Sequence, residues 1–239
     1  MTTPSLSRLE LEQRLVRLRD DVLRLSSLTE DLIARAVMAL KRRDRMAAHE
    51  LLEMDTRVNA LRYRVETYAV QTIALQQPVA HDLRFIMAAT HSAIEMERMA
   101  DHACGIARIC LRIGEKPLIH PFIDIDIPRM SEIACAMLHD ATSAFITLDA
   151  SGACHVAERD KEMDDLYVRV QRRLLSCMMQ DERKVETGTY LLWVAHNLER
   201  IADRVTNMCE RIIFAATGFL GDYKEAKRYA TALFGACLT

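Results

Sequence analysis

No glycine or proline interrupts residues 5–77, and the other long uninterrupted blocks are 79–104, 129–151, 153–187 and 189–217. All-β and loop-rich folds need these residues at frequent turns. Gly and Pro together number only 12 of 239 residues, so the chain is bounded to long helices. Within the first block, apolar residues recur at spacings of three and four. One series is Leu11, Leu15, Leu18, Val22, Leu25, Leu32, Ala36 and Leu40; the next runs from Leu51 through Val58, Leu61 and Val65 to Leu75. Such spacing makes one buried stripe on a helix. The two series fall out of phase across the charged stretch 41–50, where a turn is expected. Pro78 should end the second helix, and a third is expected over about 79–113.

Residues 114–128 hold one glycine and three of the five prolines, a linker-like composition. Beyond them, helices are expected over about 129–149, 153–180 and 187–216. The fold class is therefore all-α: two tandem three-helix bundles of six long helices, with domains at 5–115 and 126–218. The letters repeat as well. Glu97-Arg-Met-Ala-Asp101 matches Glu199-Arg-Ile-Ala-Asp203 at an offset of 102, and the Asp55/Asn59 segment matches that of Asp160/Asp164 at 105. This is an internal duplication, with three extra residues around Pro78.

Composition removes several functions. The net charge is −2, without the basic excess of a nucleic-acid binder. Lys41, Arg42, Arg43 and Arg45 read as a helix-end patch. Neither GxGxxG nor GxxxxGK[ST] occurs. Seven scattered cysteines without CxxC, Cys237 among them, read as reduced thiols in a cytosol. No signal pattern or membrane-length apolar run is present, so a cytoplasmic protein that reaches a membrane only through partners is expected. No Ser/His/Asp or Cys/His arrangement supports nucleophilic catalysis, and no role falls to any of the eight histidines.

The acids are the chemistry-bearing residues. At 100° per residue, Glu199, Asp203 and Asn207 fall on one exposed stripe of their own, away from the apolar face, as do Glu97, Asp101 and Gly105. Like charges at i, i+4 destabilise a helix, yet they recur at Glu97/Asp101, Asp160/Asp164 and Glu199/Asp203. Arg98 and Arg200, one residue after each Glu, should point elsewhere. In an antiparallel hairpin, residues equidistant from the turn lie level. Asp55/Glu97 and Asn59/Asp101 bracket Pro78; Asp160/Asp203 and Asp164/Glu199 share a midpoint within 179–184. Several carboxylates at one height are costly without a cation, and oxygen ligands suit Mg, Mn, Ca or iron. A salt-bridge network with arginine is the competing reading. A di-iron oxidase is disfavoured, because Ala100 and Ala202 stand where Glu-x-x-His would need histidine.

The segment Gln76-Gln77-Pro78-Val79-Ala80-His81-Asp82-Leu83-Arg84, with the doubled E-R-[IM]-A-D element and Asn207, resembles the PhoU family over about residue 8 to Gly218. The resemblance implies two three-helix bundles. It also implies a regulator of phosphate uptake and negative regulator of the phosphate-starvation response, linking a phosphate ABC transporter, through its ATPase subunit, to a membrane sensor histidine kinase. It implies a non-enzymatic adaptor and homodimer, with no nucleic acid and no direct membrane insertion. It further implies metal, iron first and Mn, Mg or Zn as alternatives, on Asp55, Glu97 and Asp101 in the first bundle. In the second bundle the ligands would be Asp160, Asp164, Glu199 and Asp203, with Asn207 nearby. Gly105 departs from the family, which usually has Asn there. The competing functions are a metal-dependent phosphohydrolase and a metal-free helical scaffold.

Overall fold

A computed structural model of the chain describes residues 6–120 and 122–234; the first five residues and Cys237 lie outside the described residues. The first repeat is α1 (Leu6–Arg42), α2 (Arg45–Gln76) and α3 (Ala80–Ile113). The second is α4 (Ile127–Thr147), α5 (Ala150–Glu158), α6 (Asp160–Gln180) and α7 (Val185–Thr217), followed by α8 (Tyr223–Phe234). No strand occurs among the described residues.

The turns repeat the duplication in detail. Arg43 takes φ 55° and Asp44 then caps α2, its carboxylate accepting from Ala47 N at 2.9 Å. At the matching place Leu148 takes φ 52° and Asp149 accepts from Gly152 N at 3.0 Å. A side-chain oxygen at this position satisfies an amide that the helix start leaves unpaired. The charged stretch after residue 40 thus holds a turn, as expected, and Lys41 and Arg42 sit at the carboxyl end of α1. The α2–α3 turn is Gln77-Pro78-Val79, with Gln77 left-handed at φ 46°.

Three details differ from the sequence reading. The helix expected over 153–180 is two helices, broken at Arg159, whose carbonyl accepts Glu162 N at 2.9 Å while its own N–H reaches Val156 O at 3.1 Å. These three-residue closures tighten the backbone and end α5 just before Asp160. Periodicity alone cannot see such a break, since the apolar stripe resumes on the far side. The linker-like stretch is packed rather than free. A π-helical turn at Phe122–Asp126 buries Phe122 and Ile123, and the Asp126 carboxylate accepts from Arg173 at 3.0 and 3.2 Å. Finally, α8 extends the chain beyond the second repeat.

The repeats share one apolar core. Side chains of both repeats, from Leu18 and Ile86 to Met137 and Ile212, form a single buried cluster. The most extensive helix pairing is between α3 and α7. The two run antiparallel: Arg84 Nε donates to Ala215 O at one end (3.3 Å), and His102 meets Asn197 toward the other. α1 and α4 cross the same interface, with Ser26 and Thr142 hydroxyls 2.8 Å apart; Phe85 of α3 stacks on Phe145 of α4 at 5.1 Å. Because α3 corresponds to α7 and α1 to α4, the repeats meet through equivalent faces about a pseudo-twofold axis. That axis puts α3 and α7 at the interface and leaves α2 and α6 on the outer sides of their hairpins.

Candidate metal-binding carboxylate clusters

The α2–α3 and α6–α7 hairpins each carry one cluster of acids. In the first, Asp55 projects from α2, and Glu97 and Asp101 from α3. Asn59 Nδ2 donates to Asp55 Oδ2 at 3.2 Å. Burial lifts the Asp55 carboxyl above the usual range, and Asp101 is the neighbouring charge that adds most to the effect. Asp55 and Asp101 are therefore near neighbours across the α2–α3 hairpin. Glu97 is raised likewise, by burial first and Asp101 next; Arg62, 4.0 Å away, opposes this.

In the second cluster, Asp160 and Asp164 come from α6, and Glu199 and Asp203 from α7. Asp160 is pushed up to about 7 by burial and then by the charges of Asp164, Asp203 and Glu199. Asp164 and Asp203 are raised too, burial again leading. These are carboxylates drawn out of water first and crowded against one another second.

Two expectations are corrected here. Glu199 is not on an open stripe: it is buried, at 9% exposure. Its stripe turns toward α6, which covers it. Arg200 does not point away either. Its Nε and Nη2 donate to the two Glu199 oxygens at 2.8 Å each, and Nη2 also lies 2.5 Å from Asp203 Oδ2. The long side chain curls back along α7, so its place one residue on does not limit where the guanidinium lands. Arginine thus supplies part of the counter-charge the sequence reading assigned to metal.

The remainder is uncompensated. Asp55 Oδ1 and Asp160 Oδ1 are each buried without a hydrogen-bond partner. They occupy matching positions in the two repeats, and a buried oxygen left unsatisfied is costly. Among the described residues no three His, Cys, Asp or Glu side chains are drawn into a ready-made coordination shell. The donor chemistry, hard oxygens with an orphan at the same place in each cluster, fits a hard cation, with side-chain rotation needed to gather the shell.

Asn207 reaches the other way: its Nδ2 donates to Glu95 Oε2 of α3 at 3.4 Å, and Arg204 Nη1 meets the same oxygen at 3.5 Å. The counterpart contact across the pseudo-twofold is His102 Nδ1 against Asn197 Oδ1 at 2.9 Å, with burial lowering the His102 pKa. Sequence reasoning missed this pair of polar contacts. The signal was present in the 102-residue offset that relates Glu95 to Asn197 and His102 to Arg204.

The family model of the PhoU domain matches twice, at residues 22–110 and 127–212. The chain belongs to the PhoU family. A phosphate-specific transport system accessory protein PhoU homolog from Zymomonas mobilis is 36% identical over 84% of this chain and 84% of its own length. The Streptococcus pneumoniae homolog of the same name is 31% identical over 89% of this chain and 98% of its own. The crystal structure of the phosphate transport system regulatory protein PhoU from Streptococcus pneumoniae superposes with a TM-score of 0.82 at 30% identity, covering 89% of this chain and 99% of that one. PhoU from Pseudomonas aeruginosa gives 0.82 at 29%, covering 87% and 99%. The expected all-α, duplicated PhoU architecture is therefore present. None of the described helices is long and apolar enough to cross a membrane.

Proposed function

We propose that this protein is an accessory regulator of phosphate uptake, cytoplasmic and without an active site of its own. In this reading it restrains the phosphate-starvation response by linking the ATPase subunit of a phosphate ABC transporter to a membrane sensor histidine kinase, and it acts as a homodimer. The observation that carries the reading is the doubled PhoU match, with relatives named as accessory proteins of phosphate-specific transport. Deleting the gene and assaying alkaline phosphatase in high phosphate tests it: derepression is expected, and repression that survives the deletion overturns the regulatory role.

The carboxylate clusters are, in the same proposal, cation sites. Asp55, Glu97 and Asp101 hold metal in one hairpin; Asp160, Asp164, Glu199 and Asp203 hold it in the other, with Asn207 at the margin. Support comes from the orphaned Asp55 and Asp160 oxygens. A bound cation supplies positive charge that relieves the repulsion and ties two helices together. Among the chain's own residues, Arg200 must release both Glu199 and Asp203, and Asp160 must lose its proton, before all four acids can serve. Iron is the first choice and Mn, Mg or Zn the alternatives. Equilibrium dialysis followed by elemental analysis decides this, and metal no higher than trace at saturating loading overturns it.

A further inference from the structure

The seam between α1 and α2 holds an open groove of about 720 Å3, lined by none of the acids of the carboxylate clusters. Its floor is apolar, made by Leu28, Ala60 and Leu61, and its rim carries Arg24, Arg57 and Arg64. The three guanidiniums are unequally occupied. Arg64 grips the buried Asp21, Nε to Oδ2 at 3.0 Å with a second, closer contact from Nη2. Arg24 lies 3.9 Å from the same carboxylate and is 69% exposed. Arg57 is exposed, and among the described residues no hydrogen bond or ion pair engages it. Beyond Arg57 the seam turns acidic at Glu50 and Glu53, where Arg35 bridges to Glu50 at 3.2 Å, so the basic stretch has a defined end.

The duplication provides a control inside the chain. At an offset of 105, Arg24 corresponds to Arg129, Arg64 to Arg169, and the buried Asp21 to the buried Asp126. Leu61 stays leucine at Leu166, but three other lining positions turn acidic: Ser27 becomes Glu132, Arg57 becomes Glu162 and Ala60 becomes Asp165. In that second seam Arg129 is held by Glu162 at 3.0 Å and Glu132 at 3.4 Å. One seam carries its own counter-charges. The other has three arginines and no rim acid.

Floor and rim together select a ligand class. An inorganic anion is held by donors converging from several sides, which a wide groove with an apolar floor does not offer. A chain segment that puts a small apolar side chain on the floor and carboxylates beside it satisfies both features. The guanidiniums would meet those carboxylates in charge-assisted, two-pronged contacts, and the uncompensated charge would steer the approach. We propose that the α1/α2 groove docks an acidic amphipathic peptide segment of a partner protein. The proposal rests on the groove alone and stands or falls apart from the metal reading.

The test uses the full-length chain and a displayed library of short peptides, each fixed to carry Asp or Glu around a central Leu, Ile or Val. Peptides enriched on the wild type should bind Arg57→Glu at least about tenfold more weakly. The same loss is expected for Ser27→Glu/Ala60→Asp, which writes the second seam's acids into the first. The reciprocal variant, Glu132→Ser/Glu162→Arg/Asp165→Ala, should acquire a second site for the same peptides. Circular dichroism checks that each variant is folded. Three outcomes overturn the proposal: no acidic peptide enriched; affinity unchanged in both first-seam variants; or peptides indifferent while binding to anionic vesicles, RNA or a second copy of the chain is what Arg57→Glu abolishes.

Discussion

Gly105 and Asn197 meet at the α3–α7 crossing so closely that a Cβ at Gly105 would sit 3.0 Å from Asn197 Oδ1. Asn197 has little freedom to retreat. Its oxygen faces His102 Nδ1 at 2.9 Å and its Nδ2 donates to Trp193 O at 2.7 Å. The second repeat has Asn207 at the matching position, and at Gly105 the space for such a side chain is taken by Asn197. Gly105→Asn should lose about 1–3 kcal/mol of stability through overpacking. Gly105→Ala should be near neutral, because about 1 kcal/mol of helix propensity offsets the squeeze. In an Asn197→Ala background the Gly105→Asn penalty should shrink. Thermal melts of the four variants decide it, and an undiminished penalty in that background refutes the contact as the cause.

Arg200 is the resident cation of the second cluster. Arg200→Ala leaves the buried Glu199 and its neighbour Asp203 without their guanidinium. Metal-free protein should lose about 1–3 kcal/mol, against about 2–5 for the core truncation Leu198→Ala. Added Mn²⁺ should raise the melting temperature more in Arg200→Ala than in wild type, since no arginine competes for the carboxylates. An equal or smaller rise would show that Arg200 does not guard the site.

Much of this was legible in the letters, and the failures have physical reasons. The stripe Leu191–Val194–Leu198–Ile201–Val205 is fully buried, as a 3.6-residue period requires. Glu199 was misread because a helical wheel knows one helix; α6 covers a face that looks free in α7 alone. Arg200 was misread because backbone direction says little about where a flexible five-donor side chain ends. The break at Arg159 left no composition signal, and the shared core of the two repeats depends on which apolar faces meet, which one-dimensional spacing cannot encode.

Acidity should stabilise the metal-free protein locally. Asp160 titrates near 7 when folded, against an ordinary 3.8, so between those values the folded state holds a proton the unfolded state has released. Stability then falls as pH rises through that window; Asp55, Glu97, Asp164 and Asp203 are shifted in the same direction. His102, lowered by burial, works oppositely, costing stability as pH drops below its ordinary 6.5. Asp160→Asn should flatten the decline between pH 3.8 and about 7 in chelator-treated protein. A decline as steep as wild type would remove Asp160 as its source.

Metal should fill the hairpins in order. The second presents four acids, the first three, with Asn59 in place of the fourth. Charge count favours tighter binding of hard cations, and the cluster with more repulsion to relieve gains more. In Mn²⁺ titrations, Glu199→Gln/Asp203→Asn should abolish the tighter phase and Glu97→Gln/Asp101→Asn the weaker one. The reverse assignment would mean that Arg200 outweighs the additional carboxylate.

The face through which the repeats meet has a consequence for either half taken alone. Ser26 against Thr142, Phe85 against Phe145 and α3 against α7 are contacts between matching surfaces of a duplicated unit, the arrangement a symmetric pair of identical chains adopts. The single chain thus carries within itself the arrangement of a symmetric pair of half-length units, with each half able to differ from the other. A half-length chain ending before Phe122 would present that apolar face to water and would have to find a copy of itself.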